Sequence, residues 1–239
     1  MSPFGFGPND DNPFGEDLNR MMQHMQAEFQ RMAPGFAGQD ALPKDVIREI
    51  AKTHIQTRGN QPIGANDVSK MEDALSIANI WLDAATVFPQ VAAEHPAISP
   101  IDWLNITING WHATFEPLAI GLAEAVAKLI EEASAAVQAE QQELPIQFAP
   151  MAQILRSFIG TMLATQMGQT IGSLASASKG GHDAALPILE NIRPSLIPQN
   201  IKKFGEDLQI PETEIDIYFA LRELATVRLF ESNPWLVSY

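Results

Sequence analysis

Between Arg156 and Lys179 the chain runs for 22 residues without a charge. At about 1.5 Å per helical residue, such a run is long enough to cross a hydrocarbon core. Its composition points elsewhere. Thr161, Thr165, Gln166, Gln169, Thr170 and Ser173 spread polar groups through it, and neither aromatic belts nor a basic flanking loop accompany it. Gly160, Ala164, Gly168 and Gly172 recur every four residues, so one helical face admits a second backbone closely. Ile159, Leu163, Met167, Ile171 and Leu174 cover the adjacent face. Residues 151–178 are therefore expected as the buried central helix of a bundle, not as a membrane span.

The rest of the chain carries the same period. Leu18, Met21, Met22, Met25, Phe29 and Met32 mark one face of a helix over 16–32 that stops at Pro34-Gly35. Pro43 suits a first helical position for 43–57, with Val46, Ile47, Ile50, Ala51 and His54 on one stripe and Gly59-Asn60 as the stop. Asn66-Asp67 are cap candidates for a helix to Val87. Ser99-Pro100 opens another, which Asn109-Gly110 is expected to break before a longer helix from Trp111 to Gln142, with Pro117 near its start. Lys179-Gly180-Gly181 reads as a flexible connector, since the spacing and preceding strand of a phosphate loop are missing. Prolines at 187, 194 and 198 restrict 184–197 to short helical or irregular pieces. No segment alternates convincingly as a strand does. The fold class is all-α, a multi-helix bundle with a buried small-residue central helix. Residues 1–15, with Pro-Phe-Gly twice among Asn, Asp and Gly, read as a disordered tail ahead of one helical domain over 16–239.

Chemistry is constrained by what the chain lacks. A net charge of −14 disfavours phosphate backbones, so nucleic acid is not expected as a partner. Zero cysteines remove thiolate nucleophiles, disulfides and sulfur-ligated metals, leaving five histidines and the carboxylates as the ligand stock. Met1 to Gly15 has neither the basic start nor the apolar core of a signal peptide, which points to a cytoplasmic protein. His54, on an apolar stripe, reads as a satisfied half-buried imidazole. His112 and Glu116 are one turn apart, a pair that makes an ordinary i,i+4 contact and no metal site by itself. Ser157, Ser173, Ser176 and Ser178 lack a nucleophile-elbow context, and Glu131-Glu132 reads as a solvated face.

The last helix, from Pro211-Glu212 onward, is apolar on nearly every face. At about 100° per residue, however, Asp216, Arg222, Glu223 and Thr226 fall within roughly a third of its circumference. Ionisable groups on a buried helix must pair, hold a metal or face a cleft. This strip is the best functional candidate, and the alternative is an internal network joining Arg222 or Arg228 to Glu223 or Asp216.

The block Leu221–Leu236, LRELATVRLFESNPWL, resembles the signature of an actinobacterial family of zincin-like, zinc-dependent metallopeptidases, one branch of which is associated with deazaflavin coenzyme biosynthesis. Trp81–Thr86, Ile101–Asn105 and Gln166–Gln169 fit the same family. The resemblance implies a predominantly helical fold and a further helical segment after Leu236, with this chain as the N-terminal part of a longer domain. It also implies His-Glu-x-x-His on one helix, two imidazoles binding zinc and the glutamate polarising its water. Laid onto this chain those positions are Arg222, Glu223 and Thr226, and a further histidine position falls on Ser232. Glu223 matches, Arg222 stands where the most similar branch often carries arginine, and the histidines that branch has at Thr226 and Ser232 are absent. A guanidinium stays protonated and cannot ligate, and a threonine hydroxyl is a poor substitute for imidazole.

The resulting expectation is a metallopeptidase-family protein without its zinc-ligand histidines and without metal-dependent peptidase activity, Glu223 marking the catalytic position. No metal ligand is expected in the chain, and zinc enters only if ligands lie outside it. The alternative is a helical interaction module or oligomerising scaffold that docks through the Met-rich helix 16–32 or an exposed apolar face of the last helix.

Overall fold

The computed structural model describes residues 41–139, 148–184, 186, 188–189 and 193–238, and among these the backbone is helical with no sheet, as the periodicity requires. The tail 1–15 and the segment 16–32 lie outside the described residues. No described helix is long and apolar enough to cross a membrane.

Helix α1 (Lys44–Arg58) follows Pro43 and buries Ile47, Ala51 and Ile55, one residue per turn. Gly59 ends it with a φ of 94°, a left-handed conformation that glycine adopts without a Cβ penalty. Helix α2 (Ala65–Ala85) begins where the Asp67 carboxylate accepts the Gly64 amide at 2.9 Å, so the aspartate caps from inside the first turn.

Helix α3 (Pro100–Ala139) opens on Ser99, whose amide and hydroxyl both donate to Asp102 Oδ2. It then runs without a break, which corrects the expected interruption at Asn109-Gly110 and puts Pro117 well inside a helix. Gly110 is there for closeness: an added Cβ would sit inside the Ile188 carbonyl. At Pro117 the helix forgoes one backbone bond and continues through it.

Helix α4 (Phe148–Ala175) carries the small-residue stripe. A Cβ on Gly168 would lie 2.9 Å from Ile47 O, and one on Gly172 2.9 Å from Ala51 O, so the backbone of α1 rests on this face. His54 follows α1 onto the same contact and bonds Ser173 Oγ at 3.0 Å, the satisfied imidazole its position implied.

After α4 come the irregular residues expected from the prolines, then α5 (Pro198–Gly205), α6 (Glu212–Ser232) and the short α7 (Trp235–Ser238). Met71, Ala74, Leu75 and Ala78 of α2 pack with Ile215, Phe219, Ala220 and Leu224 of α6, closed by Leu196 and Ile201. Chain contacts group the residues into two units. Among the described residues, Lys44–Pro117 with those from Leu163 onward form the larger and hold all the site residues below; the other includes α3 from Leu118 and α4 as far as Met162.

Candidate functional site

Glu223 lies on the inward side of α6 among Ala220, Leu224 and Val227, all buried, and is itself 3% exposed. A carboxylate in that position is tolerated only when donors replace its water. Three N–H groups do so. The His182 amide donates to Oε2 at 3.0 Å, the Ser195 amide to Oε1 at 3.2 Å, and His182 Nδ1 lies 2.8 Å from Oε1. Both oxygens act as acceptors, which places a ring proton on Nδ1.

Glycines bring the backbone this near. A Cβ on Gly180 would stand 2.5 Å from Glu223 Oε2, and one on Gly181 2.7 Å from Ser195 Oγ. The Gly181 amide donates to Ser195 O at 2.9 Å, and the Gly181 carbonyl accepts Trp103 Nε1 at 3.2 Å. Leu196 pairs as an isolated bridge with both Gly180 and Ala97. The expectation of a flexible connector at 180–181 is thereby overturned: both glycines are buried, cradling a protein carboxylate.

Beside the pair is a chamber of about 30 Å3 lined by Gly180, His182, Asp183, Phe219, Arg222 and Thr226, with Glu223 at its back. His182 is 4% exposed, and its Nε2 is buried without a hydrogen-bond partner. His182 was absent from the sequence-derived candidates. Its only local signal is its place directly after Gly180-Gly181, since no periodicity links it to Glu223.

Other members of the polar strip go elsewhere. Arg222 Nη2 meets Asp183 Oδ1 at 3.3 Å, and its guanidinium lies over the Tyr218 and Phe219 rings. Thr226 Oγ1 donates to Arg222 O at 3.0 Å. Arg228, with no exposed surface, pairs with Asp83 at 2.9 Å and donates to the Phe88 and Asn79 carbonyls. Neither arginine forms the expected pair with Glu223 or Asp216. Asp216 opens onto a different cleft, about 360 Å3 in volume, with Lys70, Met71, Ile201 and Lys202. Burial raises its carboxyl above the ordinary value, Lys70 opposing and Glu212 adding to the shift. His112 Nδ1 and Glu116 Oε2 are 3.8 Å apart, the i,i+4 contact read from their spacing.

A family model for the zincin-like metallopeptidases matches residues 44–239. The chain belongs to this family. No curated protein and no solved structure matches it. Of the blocks that resemble the zincin-like family, Trp81–Thr86 supplies Asp83, which pairs with Arg228 of α6; Ile101–Asn105 supplies Trp103, which donates to Gly181; and Gln166–Gln169 supplies Gly168, which seats α4 on α1.

The family implies zinc, and the donor set does not fit it. The two positions one turn apart carry a guanidinium and a hydroxyl already committed to a backbone carbonyl. Glu223 has both oxygens bonded to N–H donors, and His182 Nε2 is a lone imidazole beside Arg222. No three His, Asp or Glu gather as a ligand set among the described residues.

Proposed function

We propose that this chain is a zincin-like family member without zinc-dependent peptidase activity, in which the glutamate of the signature helix holds a protein turn in place of polarising a metal-bound water. One observation carries this reading. Glu223 spends both oxygens on the His182 amide, the His182 ring and the Ser195 amide, with Arg222 and Thr226 standing where imidazoles are required. A glutamate acting on zinc-bound water needs a free oxygen facing the metal. The resemblance of Leu221–Leu236 also supports an actinobacterial origin, beside the deazaflavin-associated branch.

Metal analysis of protein purified without a polyhistidine tag tests the reading. We expect no stoichiometric zinc and no chelator-sensitive peptide hydrolysis. One zinc per chain that disappears in Glu223→Ala overturns it.

A second reading, an oligomerising helical scaffold, is favoured by Ile77, Ile80 and Trp81, which are exposed on one face of α2. A second copy of the chain is the occupant it requires. Sedimentation from micromolar to millimolar concentration checks it: association weakened by Trp81→Ser supports it, and a monomer throughout removes it.

A further inference from the structure

A cleft of about 360 Å3 opens where the chain before α2, the first turns of α2 and α6, and α5 with the loop after it come together. That volume lies within the range of small-molecule pockets, about 300–1,000 Å3. The cleft shares no lining residue with the Glu223 chamber. Its floor is apolar: Met71, Ile201 and Ile215 are buried there, and Ile63, Leu208 and Ile210 continue the wall outward. One rim is braced, since Gln199 Oε1 accepts the Gln61 amide at 2.7 Å and Gln199 Nε2 donates to Gly59 O at 3.0 Å.

The charges around this floor do not balance. Asp67, Glu206, Glu212 and Asp216 share the lining with two lysines, Lys70 and Lys202. Asp67 is used by the Gly64 amide, and Glu212 takes Lys70 at 3.5 Å. Asp216, half-buried, makes no hydrogen bond or ion pair among the described residues, and Lys70 acts on it only through its field. A half-buried carboxylate without a donor is unfavourable in the protein alone and gains most from a cation that brings its own N–H groups. We propose that this cleft binds a small organic ammonium compound, its apolar body against Met71, Ile201 and Ile215 and its N–H groups on the Asp216 carboxylate. A bare metal ion suits the site less, because an apolar floor offers it no ligands and no three His, Asp or Glu gather as a ligand set among the described residues. An anionic ligand is repelled by the excess of acids.

Calorimetric titration of the full chain with phenethylamine at pH 7 is the test. Phenethyl alcohol supplies the body without the charge, and ammonium chloride the charge without the body. We expect saturable binding of the amine alone, weakened about tenfold in Asp216→Asn. The same substitution is expected to raise the melting temperature of the unliganded protein, so that lost binding is not lost folding. Ile210→Ser, at an exposed wall position, is expected to weaken binding severalfold with Asp216 in place. Equal affinities of the parent and Asp216→Asn overturn the proposal. So does an affinity for the alcohol or for ammonium chloride equal to that for the amine, or no saturable heat with the amine. Each of these results leaves the zinc-free reading standing, because the two sites share no residue.

Discussion

Arg228 Nη1 and Asp83 Oδ1 lie 2.9 Å apart, joining the last turns of α6 and α2. The two ends of this pair are unlike. Arg228 has no exposed surface and also serves the Asn79 side chain and the Asn79 and Phe88 carbonyls, whereas the Asp83 side chain is 46% exposed. Arg228→Ala is therefore expected to cost about 3 kcal/mol, because it leaves buried acceptors without a donor. Asp83→Asn is expected to cost much less. Urea unfolding of the two variants checks the ranking, and equal losses contradict it.

The Asp83 carboxyl is held below its ordinary 3.8, first by the Gln90 amide and then by the Arg228 hydrogen bond. A carboxyl with a lowered value in the fold contributes stability above its unfolded value and loses it as pH falls through the folded one. The contribution of this pair should thus persist at pH 5 and fade below pH 3.8. Melting curves of the parent and Asp83→Asn should converge there; a gap that stays constant to pH 2 contradicts the assignment.

Asp216 has the opposite sign. Its raised value means the fold binds the proton more tightly than the unfolded chain, so ionisation near neutrality costs stability that is recovered on acidification. Asp216→Asn is expected to melt higher than the parent at pH 7 and equally at pH 3. A lower melting temperature at pH 7 would show that the carboxylate has a partner that matters more than its burial.

Gly180 and Gly121 predict opposite outcomes for one substitution. Gly180→Ala forces a Cβ against Glu223 Oε2 and is expected to cost about 3 kcal/mol. A Cβ on Gly121, within α3, meets nothing within 4 Å, and Gly121→Ala should stabilise by about 0.5–1 kcal/mol through helix propensity. Denaturant midpoints of the pair decide it.

Glu223→Ala strips the acceptor from two buried amides and a buried ring nitrogen, for an expected loss of more than about 3 kcal/mol. A glutamate free to act on a metal-bound water would be removed at little cost to stability. Unfolding curves for this variant separate a structural carboxylate from an idle catalytic one.

Much of this is legible in the sequence. Pro43 and Gly59 bound α1 to within a residue, Pro211 precedes α6, and the four-residue spacing of Gly168 and Gly172 announced a close helix neighbour. These are local matters: φ restriction, the missing Cβ and a 3.6-residue period act within one or two turns. Glu223 was singled out for the same reason, as a charge on an otherwise apolar helix. Gly110 shows where local reading fails. A glycine after asparagine signals a stop, yet here the missing Cβ makes room for the Ile188 carbonyl and the helix continues.

Sequence alone determined the helical class and several helix limits, since each follows from residue type and short-range geometry. Tertiary structure decided the partner of Glu223. His182 reaches it because Leu196 pairs with both Gly180 and Ala97 and sets the turn over α6. That pairing joins residues far apart in the chain through backbone groups every residue possesses, so no side-chain pattern records it.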